Sequence, residues 1–344
     1  MKTFSTAAAP HLPPRGSVRA LMLEVLAALL PGVLAHVYFF GPGVLIQIAL
    51  ACAFALLIEA VCLRLRARPM EPFLTDGSAL LAAVLFALCL PPLTPWWISA
   101  IGMLAAIGLA KHAYGGLGYN LFNPAMVGYA VVLISFPFEL SQWLAPRGLG
   151  LEPPGLVASL SAIFSGTPPA PGWDTLAQAT PLDTLRQLSA QGLTLVEIRD
   201  DPLFGDFGGR GWEWIANFYA LGGLWLLYRR KIPWQTPVAT LGSVILLTLP
   251  LWALEPDVHP FPLQHIFSGA LVLAAFFIVT DPVSGCASTR GRLLFGAGVG
   301  VLTLLIRRWG SYPDAVAFAV LLMNCAAPML DRYTRPRIYG EAKS

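Results

Sequence analysis

Charge is scarce in this sequence. Only 12% of its 344 residues are Asp, Glu, Lys or Arg, where a soluble domain carries about 25%. That shortage excludes an ordinary water-soluble domain. The formal net charge is only +3, and no basic run is interleaved with aromatics, which excludes nucleic acid as a partner. Cysteine is sparse as well: Cys52, Cys62, Cys89, Cys286 and Cys325, with no CxxC pair. Four lie inside apolar runs and read as small buried hydrophobes, so no metal ligands are assigned. A P-loop, a dinucleotide fingerprint and a Ser-His-acid set are all missing, and no catalytic residue is assigned either. His36, His112 and His265 are isolated and read first as ordinary buried histidines.

What fills the chain instead is long apolar blocks. Hydrophobic residues make up 56% of it. Runs such as VLIQIALACAFALLIEAV (44–61) and IFSGALVLAAFFIVT (266–280) approach the ~20 residues that cross hydrocarbon. The first 20 residues are polar and proline-rich with no apolar centre, so the run from Leu21 reads as a first span and not as a cleaved signal. Ten apolar segments are expected, near 20–40, 42–63, 77–91, 95–113, 123–141, 213–228, 235–254, 263–280, 291–307 and 312–330. Each must be helical, because backbone groups in lipid have no water to bond. The expected fold is an all-α integral membrane protein of about ten transmembrane helices.

Basic residues set the orientation. With both termini in the cytoplasm, the inner segments hold clusters such as Arg64, Arg66 and Arg68, and Arg229, Arg230 and Lys231. The expected organisation is a cytoplasmic segment 1–19, a first five-helix unit 20–141, an external loop 142–212, a second five-helix unit 213–331 and a cytoplasmic tail 332–344. SALLAAVLFALCLP (78–91) and GALVLAAFFIVTDP (269–282) match in part at an offset of 191. Five is odd, so such a repeat inserts inverted, and inverted repeats enclose sites near the midplane. The third and eighth segments end at Leu90-Pro91-Pro92 and Thr280-Asp281-Pro282, which predicts two short or broken helices.

Several polar residues stand out. In GGLGYNLFNPAMVG (115–128), Gly116 and Gly118 permit close backbone approach, and Asn120 and Asn123 offer donors and acceptors. The plainer reading is a tight turn capped by asparagine. Asp76 and Asp281 sit at the ends of the two short segments. They read either as helix caps or as a pair that brackets a polar ligand. Glu24 and Glu59 lie within apolar segments and read as interfacial pairs with Arg19 and Arg64. The 142–212 loop holds eight prolines and ten glycines, which predicts order by turns rather than by long helices. Within it, AQATPLDTL (177–185) presents Thr180, a hydroxyl with no chemistry assignable from the residues alone.

DGSALLAAVLFALCLPP, GGLGYNLFNPAMVGYAVVL, DTLAQATPLDTLR and TDPVSGCASTRGRLLFGAGVG together resemble the RnfD/NqrB family over nearly the whole chain. The length and short N-terminal stretch are closer to the RnfD branch. That resemblance implies a subunit of the Rnf complex, a redox-driven ion translocase of the inner membrane linking ferredoxin and NAD. It implies FMN joined through its phosphate to a threonine by a flavin transferase, and electron relay with no independent activity. The attachment pattern resembles Asp-x-x-Ser/Thr-x-Ala-Thr, matched here by Asp174, Ala179 and Thr180. Ala177 stands at the Ser/Thr place and Gln178 where glycine is frequent. Thr167 in SGTPP is the rival acceptor. Similarity to NqrB also implies riboflavin, expected near Gly115–Asn123 and the short segments. The implied partners are the other membrane and peripheral subunits, and the implied ion is sodium or a proton. The reading from a different class is a non-redox permease or channel with the same inverted-repeat layout.

Overall fold

The computed structural model describes residues 17–149, 152–310, 312 and 314–335. Most of segments 1–19 and 332–344, assigned above to the cytoplasm, therefore lies outside the described residues. Everything regular in the described residues is helical, apart from two isolated β-bridges, Leu144 with Ala177 and Phe204 with Gly209.

In the first half, α1 spans Val18–Phe40, α2 Gly43–Leu65 and α3 Ser78–Ala87. Then α4 runs over Trp96–Met103 and widens into a π-helix over Leu104–Ala113, and α5 covers Pro124–Ser135. The second half follows with α6 Trp212–Tyr228, α7 Gln235–Leu254 and the short α8 Pro262–Phe267. A second π segment, Ala274–Ile278, precedes α9 Thr289–Trp309 and α10 Val316–Thr334. Among the described residues, five helices (α1, α2, α7, α9 and α10) are long and apolar enough to cross a membrane. The remaining expected segments are shorter or interrupted. Large apolar side chains face outward along these helices, among them Leu34, Leu57, Leu246 and Leu322, as lipid contact requires. Cys325, expected to be buried, is on such an outward face, because α10 is apolar on both its inner and outer sides.

Burying helix against helix in an apolar solvent depends on close fit and on satisfied polar groups. Gly296 and Gly300 on α9 leave room for the backbone and side chains of Thr236, Thr240 and Ser243 on α7. Buried Gln47 donates to the Thr94 carbonyl and accepts from Ser99 Oγ at 2.9 Å.

The interruption expected near span 8 is present, and its loose ends are satisfied. Between Phe267 and Leu271 the chain turns through Gly269 at φ 71°. Arg307, nearly buried, donates to the carbonyls of His265 (2.6 Å) and Ser268 (3.0 Å). Asp314 accepts from the Ala270 N–H at 2.9 Å. A broken helix can sit inside a membrane protein only when its freed backbone groups find partners of this kind. The other short segment, α3, ends at Ala87 and is followed by buried Leu88–Leu93.

The 142–212 stretch carries more helix than its prolines suggest. Leu156–Ser165 and Pro181–Ala190 have ten residues each, and Leu195–Arg199 opens with a capping box on Thr194. No helix in its described residues exceeds ten.

The two intramembrane glutamates are not paired as the sequence suggests. Glu24 binds Arg229 (3.0 Å) and Lys231 (2.7 Å), from the far half of the chain, rather than Arg19. Glu59 is only 1% exposed. Lys111 Nζ donates to both its oxygens at 2.7 Å and to Ser78 Oγ at 2.9 Å. His112 Nε2 lies 3.3 Å from the same carboxylate but off hydrogen-bonding alignment. The narrower angle per residue of a π-helix lets consecutive Lys111 and His112 face one acid.

Candidate cofactor sites

Thr180 is the N-cap of the helix Pro181–Ala190, not a bare loop residue. Pro181 suits the first helical position, where its missing N–H costs nothing. The Thr180 hydroxyl accepts from the Asp183 N–H at 3.2 Å and donates to Asp183 Oδ2 at 2.6 Å. Asp183 went unmarked in the sequence, although Thr-x-x-Asp is a helix-start pattern. The helix N-terminus also favours anionic oxygen in front of it.

The stretch before Thr180 is tied to the start of the 142–212 segment, where Trp143 packs on His36 and Phe40 of α1. The Gln178 N–H donates to the Trp143 carbonyl at 2.8 Å, and the Ala145 N–H to the Leu176 carbonyl at 3.3 Å. These bonds form the Leu144–Ala177 bridge. Asp174 and Ala179 are exposed on this segment. Thr167, the rival acceptor, is exposed in coil beyond Leu156–Ser165.

Thr180 lines a cavity of ≈ 170 Å³ whose wall draws on both halves. Its wall includes His36, Trp143, Asp183, Trp212, Tyr219 and Asp314. Trp143 and Trp212 meet edge to face at 4.8 Å, and Phe40 contacts Trp212 at 4.9 Å. This volume is below the ~300–1,000 Å³ of sites that swallow a whole small molecule.

A second cavity, of ≈ 410 Å³, has a different lining. Ser78, Lys111, Asn120, Asn123, Asp281 and Arg292 all contribute to it. Four of the six come from the three stretches singled out by their glycines, asparagines and aspartates; Lys111 and Arg292 do not. Asn120 donates to the Phe122 carbonyl at 3.1 Å, while its buried Oδ1 has no partner. Asn123 caps α5 through Met126 N–H (3.3 Å), and its own N–H donates to Asn324 Oδ1 at 3.0 Å. Asn324 is completely buried and also donates to the Ser284 carbonyl at 3.0 Å. It ties the start of α5 to the middle of α10 and to the loop before α9. No motif marks it in the sequence.

The structure separates the remaining candidates. Asp281 is on the wall of this cavity and accepts from Ser284 Oγ at 2.6 Å. Asp76 is not on the wall. It accepts from the N–H (2.7 Å) and Oγ (2.6 Å) of Ser78, and Ser78 faces the cavity in its place. The pair of aspartates therefore does not bracket one space. Gly116 and Gly118 do not line the cavity either. Their φ angles of 104° and 90° are what demand glycine. An added Cβ on Gly118 meets nothing within 4 Å, and on Gly116 only Arg66 Nη1 at 3.6 Å. Backbone geometry by itself is enough to require glycine at both positions. Among the described residues no group of three or more His, Cys, Asp or Glu side chains is placed to hold a metal ion.

Relatives of known type share the whole length of this chain. The sequence profile of the NQR2, RnfD, RnfE family matches residues 5–340. In Aeromonas hydrophila, the D component of the ion-translocating oxidoreductase complex, one of its subunits, is 49% identical over 345 residues, covering 98% of this chain and 99% of that protein. The protein of the same name from Ectopseudomonas mendocina is 51% identical over 339 residues, covering 97% and 95%. That of Escherichia coli O127:H6 is 44% identical over 349 residues, covering 99% of each.

Proposed function

The chain belongs to the NQR2, RnfD, RnfE family, and from that premise we propose that it is the membrane subunit of an Rnf-type ion-translocating oxidoreductase that carries FMN on Thr180. The subunit name of its relatives supports the complex. One observation carries the cofactor reading: the Thr180 hydroxyl caps a helix and Thr180 lines an aromatic-walled cavity whose wall draws on both halves. The residues present fit the group. The Asp183 N–H points at the oxygen that would bear the phosphate, and Asp183 Oδ2 receives the hydroxyl proton that esterification removes. The phosphoester comes from FAD with AMP leaving, made by a flavin transferase. Once bound, the flavin supplies reversible electron carriage; the chain supplies position and a dry surrounding.

We assign riboflavin to the ≈ 410 Å³ cavity, a volume typical of small-molecule sites. Support comes from the unpartnered Asn120 Oδ1 and from Lys111 and Arg292 on its wall. We read the protein as an inner-membrane one with cytoplasmic termini and two inverted five-segment units. The partial match of residues 78–91 with 269–282 supports the repeat. The complex moves sodium ions or protons.

The test is Thr180→Val, which keeps shape and removes the hydroxyl. Co-expressed with a flavin transferase, the wild type should fluoresce as a denatured gel band. Its labelled peptide should contain residues 174–186. Thr180→Val should be dark, and Thr167→Val should match the wild type. A fully fluorescent Thr180→Val band would remove the attachment from Thr180.

A further inference from the structure

The ≈ 170 Å³ cavity below Thr180 contains two buried side chains whose polar atoms bond to nothing. His36, on α1, is 3% exposed, and both its ring nitrogens lack a partner. Tyr219, on α6, is also 3% exposed, and its hydroxyl lacks one. Both line the cavity that Thr180 lines. Buried polar groups are almost always paired, so each exception requires an explanation. These two lie on helices that pack directly against each other, and they are not an accident of loose packing. Gly32 on α1 is what lets the Tyr219 ring lie flat against that helix, since a Cβ there would overlap the ring. His36 is stacked on Trp143 at 6.3 Å and 15°, and is held from the side by Phe40 at 5.2 Å.

We propose that His36 and Tyr219 are the polar contacts of the flavin ring system, holding the pyrimidine edge of the isoalloxazine while Trp143 and Trp212 wall its aromatic body. This rests on the reading that Thr180 carries the flavin. The chemistry matches group by group. That edge alternates carbonyl acceptors with one N–H donor. A tyrosine hydroxyl donates to a carbonyl, and imidazole presents one donor and one acceptor. The walls match as well, because indole rings favour a flat aromatic guest in stacked or edge-to-face contact. Neither residue sits in a motif of the attachment segment. They come from helices 183 residues apart in sequence, which only the fold brings together.

The experiment uses full-length protein matured with a flavin transferase, in wild-type, His36→Leu and Tyr219→Phe forms. Gel fluorescence after denaturation reports attachment. Visible absorption of the folded protein, and the ratio of folded to denatured fluorescence, report the ring's surroundings. Both variants should carry wild-type amounts of flavin, with shifted visible bands and a higher folded-to-denatured ratio. Protein made without the transferase supplies a second readout. There the hydroxyl has no partner, so Tyr219→Phe should melt no lower than wild type. With flavin attached, it should gain less thermal stability than wild type does. Tyr219→Phe keeps the ring that packs on Gly32, so it decides the matter even where His36→Leu fails to insert. Labelled variants with wild-type spectra and ratio would overturn the proposal, and would fit bridging waters as the missing partners. Loss of label in both variants would also overturn it, by placing the residues in maturation. An unlabelled wild type refutes the attachment reading itself, a result separate from either.

Discussion

Breaking the buried Glu59–Lys111 pair should cost more than any exposed substitution, and removing both charges should restore most of the loss. Lys111 Nζ makes three short hydrogen bonds, two to Glu59 at 2.7 Å and one to Ser78 at 2.9 Å. Both residues are 3% exposed or less. Glu59→Gln leaves the ammonium buried with neutral acceptors only, and Lys111→Met leaves the carboxylate in the same position. An uncompensated buried charge costs about 3–5 kcal/mol, whereas replacing a whole buried pair by apolar groups is often neutral. The surface pair Arg147–Glu152, 2.9 Å apart and largely exposed, should contribute only about 0–1 kcal/mol. The assay is the fraction of detergent-solubilised protein that survives a heating series as a monodisperse peak. Glu59→Gln and Lys111→Met should each shift the midpoint down clearly. The Glu59→Gln/Lys111→Met double variant should recover above either single one, and Arg147→Ala should match wild type. Single variants as stable as wild type, or a double variant whose losses simply add, would refute the reasoning. Additive losses would mean that the two side chains do not depend on each other.

Other outcomes follow from the same geometry. Valine at Gly116 or Gly118 should lower the yield of monodisperse protein, because φ angles of 104° and 90° strain a β-branched residue by about 1–3 kcal/mol. Asparagine at Gly118, which has open space around it, should be tolerated better than valine, and equal yields would show that the turn relaxes. A reporter active only outside the cytoplasm should work when fused near Gln191 and fail when fused after Lys343; the reverse pattern would invert the proposed topology.

Composition and periodicity determined the class of this protein. Too little charge to cover a soluble surface, arranged in long apolar blocks, leaves a helical membrane protein as the outcome that satisfies every backbone group. The proline-ended segments announced a short or broken eighth segment, and that segment is broken, but between Phe267 and Leu271 rather than at Thr280-Asp281-Pro282. Composition and the length of apolar runs depend only on neighbours along the chain, so they can be read from it. The pairing of charges could not be. Glu59 has Arg64 five residues away, yet its partner is Lys111; Glu24 has Arg19 nearby, yet binds Arg229 and Lys231. An ion pair forms where helices meet, and which faces meet is set by small residues such as Gly32, Gly296 and Gly300. The glycines of the 115–118 stretch pointed correctly to an unusual backbone but not to a cavity wall. The adjoining Asn120 and Asn123, Ser78 and Asp281 form that wall. Thr180 was legible as a motif. That it caps a helix over a cavity containing His36 and Tyr219 was decided only by the tertiary structure, because three distant segments must converge there before an unpaired imidazole or hydroxyl has anything to face.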